Sequence, residues 1–428
     1  MPAIRIQRID CDFEREPLVR PFGFKGGFMT DIWQTVAMLE SGSGARTVGL
    51  GTQNVLWSDA RVFADHSESG GNALMYTLTE RALRMLNGQS FTNPVELLDG
   101  LWEEIHAYGK QITRNPNLRE TFALNALVAV DNAAWLLHAK ENEIQTFDEM
   151  VPELYRPALS YRHDAVASVP AIGYASDIGE VEALVRRGYF VMKIKLGSPG
   201  TQEEMLKQDK QRLSEIHETF GHLETEHTPN GKMPYWFDAN GRYENKDTLL
   251  RLLEHAKAVG AFDQILVVEE PFPEDYRVNV SDVGVRIMAD ESAHTDDDVR
   301  ERIQMGYGAI ALKAIAKTMS MTMKMAQVAH EHGVPCTCAD LTVNPILVDW
   351  NLNVAARLAP LPGFDIGLME ANGHQHYLHW DRMQSYRADS RATGRDASDS
   401  MFMLDEEFYN TSGGIFSPLP HYDAMFDR

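Results

Sequence analysis

The side chains in this chain that move protons or bind hard cations recur at regular places. Lys193 and Lys195 bracket one residue in the apolar run Phe190-Val191-Met192-Lys193-Ile194-Lys195. Downstream come Asp238-Ala239-Asn240, Glu269-Glu270-Pro271, Ala289-Asp290-Glu291-Ser292, Lys313 and Glu370. A strand sends alternate side chains to opposite faces, so Lys193 and Lys195 point the same way. Their apolar neighbours read as a buried parallel strand, where two ammonium groups are costly without partners. Asp238, Glu269 and Asp290 would repel one another if left bare. A hard divalent cation resolves that conflict, and Mg²⁺ takes oxygen ligands while leaving positions for substrate oxygens. A lysine with its pKa lowered to about 7–8 serves as a base at neutral pH, and burial beside a cation pushes it that way. Together such groups could remove the α-proton of a carboxylate and leave an enediolate stabilised by the ion.

Those residues need elements that end at one place. The sequence predicts strands at Val166 to Tyr174, Phe190 to Lys195, Tyr235 to Asn240, Ile265 to Pro271, Val285 to Glu291, Ala309 to Lys313, Val334 to Ala339 and Ile366 to Glu370. Helical segments lie between them, among them one opened by the capping-box spacing of Thr201 and Glu204. Such alternation means a parallel sheet, and this many units favour a β/α barrel of the TIM type over an open sheet. In such barrels chemistry sits at the C-terminal strand ends, where the lysines and acids fall. Residues 221–234 read as an inserted surface loop.

Before the barrel, Ile4 to Phe13 predicts a strand, and Gln34 to Glu40 with Arg46 to Gly51 a hairpin around Ser41-Gly42-Ser43-Gly44. Gly49 and Gly51 lack the Lys-Ser/Thr of a phosphate loop and read as a strand end or bulge. Arg20 to Phe28 is glycine-rich, aromatic and cationic, with Arg20, Phe22 and Lys25 as its candidate substrate-facing groups. Two readings stand, a mobile lid over an anionic ligand or an ordinary loop. Leucines at helical spacing follow, then an Ala-rich run from Phe122 to Leu137, apolar almost all round, which predicts a helix buried between two bodies. The division is an α+β domain over 1–140, a barrel over 141–373 and a tail over 374–428.

The net charge of −22 argues against nucleic-acid binding and makes an anionic substrate awkward without a bound cation. No long uncharged apolar run predicts a membrane span, and the start lacks a signal-peptide core. Cys11, Cys336 and Cys338 are too few for a disulfide framework. A cytoplasmic protein fits these features. Met319, Met321, Met323 and Met325 read as packing, and His374 and His376 as surface groups rather than a second metal site.

Taken in order, these motifs resemble the enolase superfamily, in the muconate-lactonizing branch of its mandelate racemase group. The residues that carry the likeness are the lid loop, Asp131 and Trp135 on the Ala-rich helix, Lys193-x-Lys195, Asp238-x-Asn240, Glu269-Glu270-Pro271, Asp290-Glu291 and Lys313. The resemblance implies a barrel with an N-terminal α+β capping domain completed by the C-terminal tail. It implies Mg²⁺ on Asp238, Glu269 and Asp290, and Lys195 and Lys313 as bases on opposite faces of a small carboxylate substrate. Lys193 would hold the substrate carboxylate or tune Lys195, and Asn240 would act behind the metal ligands or as a weak one. Alternation sends Glu270 and Glu291 away from the ligands, as pairing groups or as groups behind the ligands. Related barrels assemble, so a homo-oligomer is expected.

The outcome of such chemistry is racemisation, epimerisation or cycloisomerisation. The alternative is water elimination from an acid sugar, and a remote one is a non-catalytic binding protein. The sequence departs from family habit in places. No Gly-Gly follows Lys313, and Lys317 could compete for its role. The seventh strand ends Cys338-Ala339-Asp340 without histidine, and Glu370 stands without the paired aspartates that hold an ammonium group in dipeptide epimerases.

Overall fold

In the computed structural model, which describes residues 3–24, 27–174, 176–387 and 400–427, the N-terminal sheet is antiparallel. It comprises β1 (Ile4–Phe24), β2 (Gly27–Ser41), β3 (Arg46–Gln53) and the short β4 (Ser90–Phe91), in the order β3-β2-β1-β4. The first strand runs well past the predicted Phe13. Pairing resumes after a register shift as Phe22 meets Met29 and Gly23 meets Phe28. The described part of the stretch read as a lid or loop, up to Phe24 and from Gly27, is therefore β-ribbon. Leu18 also bridges Tyr377, which ties the ribbon to the chain beyond the barrel.

Five helices cover this sheet: α1 (Val55–Ser58), α2 (Ala60–Leu86), α3 (Pro94–Asp99), α4 (Trp102–Thr113) and α5 (Glu120–Glu141). Helix α5 is long and apolar enough to cross a membrane, yet it is buried inside the molecule. It lies against β3, which pairs regularly from Arg46 to Gln53 without a bulge. A Cβ at Gly49 would stand 2.2 Å from both Ala129 O and Ala133 N. Gly49 and Gly51 thus mark a close helix–strand approach, not a strand end or bulge. Gly49→Ala is expected to destabilise the protein by about 1–3 kcal/mol through overpacking against backbone that cannot yield. An unchanged denaturation midpoint would refute that account.

The barrel strands are β5 (Ala165–Val169), β6 (Ala171–Ile172), β7 (Met192–Lys195), β8 (Tyr235–Asp238), β9 (Ile265–Glu269), β10 (Ile287–Ala289), β11 (Ala309–Leu312), β12 (Cys336–Cys338) and β13 (Gly367–Glu370). The ladder begins at β6 and ends at β5, and these are two halves of one strand broken at Pro170. The proline has no N–H for a ladder, and its carbonyl still accepts from Lys193 N at 3.0 Å. Since β6 pairs with β7 and β5 with β13, all in parallel, the ring closes through that strand. A further strand, β14 (Met401–Met403), runs antiparallel beside β5.

The strand interiors form their own apolar cluster, including Ala167, Val169, Val191, Trp236, Val267, Met288, Ala309, Ala311 and Leu368. Two residues further along the same faces stand Lys193, Asp238, Glu269, Asp290, Lys313 and Glu370. The ring is therefore dry below and charged at its C-terminal rim.

Helix Met319–Glu331 buries all four of its alternate methionines, since it packs on the barrel with one side and under the N-terminal domain with the other. Asp131 of α5 anchors it, accepting from Ser320 N at 3.0 Å and Ser320 Oγ at 2.5 Å, while Trp135 Nε1 donates to the same hydroxyl at 3.0 Å. The 221–234 segment lies away from the rim. There His227 packs on Phe190, at the opposite end of β7 from Lys195. The tail touches both bodies. Tyr409 donates to His163 O at 2.7 Å, and His421 meets Glu14 of β1 at 2.8 Å.

Candidate active site

One cavity opens at the rim, about 500 Å³ including its mouth. The barrel supplies Lys193, Lys195, Asn240, Asp290, Glu291, Lys313, Asp340, Glu370 and Asn372 to its wall, and the N-terminal domain supplies Phe22, Met29, Asn54 and Trp57. The lysines of the second and sixth strands therefore share one space. Arg20 is exposed on the ribbon, and Lys25 lies outside the described residues.

Side-chain direction follows from where the strands stop. Each ends earlier than the sequence suggests: at Asp238, Glu269, Ala289 and Leu312. Asn240 and Glu270 then take left-handed backbone, with φ of 44° and 38°, a cost that a packed surrounding must hold in place. Glu270 turns away and accepts from Asp290 N at 2.8 Å and Ser292 Oγ at 3.0 Å, so it braces the next strand end. Glu291 departs from the alternation argument. It follows the end of β10, lines the cavity, and accepts from Asn240 Nδ2 at 3.0 Å.

The lysines are held by acids. Lys193 Nζ lies 2.8 Å from Glu269, 3.0 Å from Asp238 and 3.2 Å from Glu370. Burial works against its charge, but those carboxylates outweigh burial and hold it well above the ordinary lysine value. Lys195 Nζ donates to Asp238 Oδ2 at 2.5 Å and Asn240 Oδ1 at 2.8 Å. Lys313 Nζ donates to Asp290 Oδ2 at 2.6 Å. Burial opposes its charge too, yet Asp290 keeps its pKa raised. The lowered base pKa expected from the sequence is thus not what the protein alone imposes at Lys313. Lys317 is placed differently. Its ammonium lies outside the cavity and donates to Asp290 O and Ala293 O, each at 2.8 Å. Burial pushes it below the usual lysine range. Lys317→Met would take the ammonium donor from the buried Asp290 and Ala293 carbonyls, leaving Asp290 O with Ala293 N at 3.2 Å. It is expected to cost about 2–4 kcal/mol, read by urea denaturation, and a change within about 0.5 kcal/mol would contradict that role.

The donor set can be tested for a cation. Among the described residues, no three His, Cys, Asp or Glu side chains converge as a metal centre. The Lys193 ammonium bridges Asp238 and Glu269 instead. In type, however, the groups suit a hard ion, since they are carboxylates on adjacent strand ends without thiol or imidazole. Asp238 and Glu269 are direct cross-strand neighbours. The rim is also short of positive charge. Burial, reinforced by Glu291, pushes Glu270 up to about 8; burial beside Glu370 lifts Asp340 to about 6; and burial pushes Glu269 well above its usual value. At Asp238 burial is overcome by Lys193 and Lys195, and its carboxyl is held at about 2. The residues therefore fit a divalent cation in donor type.

Some site residues escaped the sequence. Trp57 and Asn54 reach the cavity from α1 and its N-cap, with no local spacing to mark them. Asp340 was legible as a strand-end acid, but both its oxygens serve the backbone: Oδ1 accepts from Leu341 N at 2.7 Å and Oδ2 from Asn372 N at 2.7 Å. His376, read as a surface group, is half-buried. It packs on Phe22 with ring centroids 4.5 Å apart, and burial, aided by Arg20, pushes it down to about 4.

A closed parallel β/α barrel carrying acids and lysines at its C-terminal rim, roofed by an α+β domain, places the protein among the capped β/α barrels. Residues 178–386 match the family model described as enolase C-terminal domain-like. No curated protein matches the chain.

Solved structures share the fold across almost the whole length. The muconate lactonizing enzyme from Pseudomonas putida is 18% identical with a TM-score of 0.66, and 99% of each chain is covered. The L-Ala-D/L-Glu epimerase from Bacillus subtilis, in a substrate-liganded complex, is 18% identical with a TM-score of 0.64, covering 94% of this chain and 96% of its own. The L-talarate dehydratase from Polaromonas sp. JS666, complexed with Mg and L-glucarate, is 15% identical with a TM-score of 0.64, covering 94% and 93%.

Proposed function

We propose that the protein removes the α-proton of a small carboxylate substrate, with Lys195 and Lys313 acting from opposite sides of the cavity. The observation that carries this reading is the placement of those two amines in one cavity, with the Asp238, Glu269 and Asp290 carboxylates spread along the strand ends between them. One amine, in its neutral form, takes the proton from carbon. The C–H electron pair moves into the substrate's carboxylate. The other amine, as ammonium, returns a proton to the opposite face, which inverts the centre.

Asp238, Glu269 and Asp290 would hold Mg²⁺. Bound there, the ion would supply positive charge to the substrate carboxylate as that electron pair arrives. Lys193 keeps Glu370 and Glu269 in place around the same end of the substrate. Fold neighbours crystallised with Mg and with small carboxylate ligands support the choice of ion and substrate class. The test is a panel of acid sugars, dipeptides and N-acyl amino acids in D₂O with Mg²⁺, read by mass. A gain of one mass unit at the α-carbon supports proton transfer, and loss of water identifies the eliminating variant of the same first step. No deuterium in any acid of the panel would count against the reading.

A further inference from the structure

Trp57 is an aromatic wall of the cavity that touches a proposed base. Its indole stands 4.8 Å from the Lys313 ammonium, measured to the ring centroid, while Asp290 Oδ2 holds the same nitrogen at 2.6 Å. The ammonium is thus set between a carboxylate and a π-face, an arrangement that attracts a cation and limits its directions. Lys195, on the other side, takes its contacts from Asp238 and Asn240.

The indole is not anchored by its own polar atom. Among the described residues, Trp57 Nε1 is buried without a hydrogen-bond partner. Its backbone is anchored instead. Asn54 Oδ1 accepts from Trp57 N at 3.1 Å. Arg119 Nη1 donates to Trp57 O at 2.7 Å and Ser58 O at 3.2 Å, and Nη2 reaches Glu291 O at 3.3 Å. The same guanidinium grips Glu274 through Nη2 at 2.6 Å and Nε at 3.0 Å. One arginine of the N-terminal domain therefore fixes α1 against the barrel loops that follow β9 and β10. A planar, bidentate group is suited to that task.

We infer that Trp57, held by the Arg119–Glu274 clamp, is a positioning residue that aims the Lys313 amine and so governs one face of the site only. The inference rests on the proposed function for its catalytic consequence, and on geometry alone for the contact. A misplaced reacting group loses rate steeply with distance, whereas a lost apolar wall weakens binding of both isomers alike. The two roles therefore separate by face.

The experiment takes the full chain with Mg²⁺ and both isomers of an exchanging acid in D₂O. The Lys313 face is defined as the isomer whose exchange Lys313→Ala removes. Trp57→Leu is expected to slow exchange of that isomer at least about tenfold while changing the other less than about threefold, with Trp57→Phe restoring most of the loss. Arg119→Lys should give the same asymmetry, more weakly. Equal slowing of both isomers, or of neither, overturns the inference.

A second readout does not need turnover. In protein labelled with ¹³Cε-lysine, the Lys313 signal, assigned by its absence in Lys313→Ala, should be shifted upfield by the ring and move back in Trp57→Leu. An unshifted Lys313 signal overturns the inference even in an active enzyme. A shifted signal in a protein that exchanges no acid sinks the proposed function and leaves the positioning contact standing.

Discussion

Lys313→Ala is expected to lose exchange of one isomer by about 10³-fold or more, and Lys195→Ala that of the other. A positioned proton-transfer group contributes that much because nothing else at the site replaces it. Lys317 lies outside the cavity and is engaged with Asp290 O and Ala293 O. Lys193 is held by three carboxylates. The fold should survive the change at residue 313, because Asp290 keeps Lys317 at 3.5 Å after Lys313 has gone. Thermal denaturation serves as the control, and isomer-resolved mass shift as the readout. Undiminished exchange of both isomers in either variant would remove that lysine from the reaction.

The second large effect is expected at Asp238. Its Oδ2 faces both Lys193 and Lys195, and its Oδ1 accepts from Asn240 N at 2.9 Å. Asp238→Asn keeps the shape and removes the charge that two ammonium groups and the proposed ion all need. Mg²⁺ affinity should fall by at least about 100-fold, beyond what is typical for changing a group behind the ligands, and α-exchange should fall with it. Titration calorimetry showing wild-type affinity would take Asp238 out of the ligand set. Turnover alone is a weaker witness, because the loosened lysines would depress it too.

The site was legible in the sequence wherever a barrel strand delivered a residue to its own C-terminal end. Lys193 and Lys195, Asp238, Glu269, Lys313 and Glu370 could be placed because apolar strands have a period of two and stop at a rim. Legibility failed one residue further on. The backbone turns left-handed at Asn240 and Glu270 and leaves the strand before Glu291, so alternation no longer says which way a side chain points. Trp57 was hidden for another reason. It belongs to a four-residue helix, and its backbone is held by Asn54 and by Arg119, which is distant in sequence. The β-pairing of Phe22 to Phe24 with Gly27 to Met29 was obscured by the nearby glycines and Pro21, which read as loop until the cross-strand pairs are seen. The breadth of the Lys193 ion network is likewise a property of the assembled ring rather than of any local motif.

The split strand at Pro170 carries a consequence for how this molecule is made. Its N-terminal half finds its parallel neighbour only at Gly367–Glu370, and its antiparallel one at Met401–Met403. During synthesis, the seam must wait for almost all the intervening chain to emerge. Such distant pairing is slow to form and leaves sheet edges open to other chains meanwhile. Nascent protein stalled before residue 367 should therefore be the species that calls on chaperones.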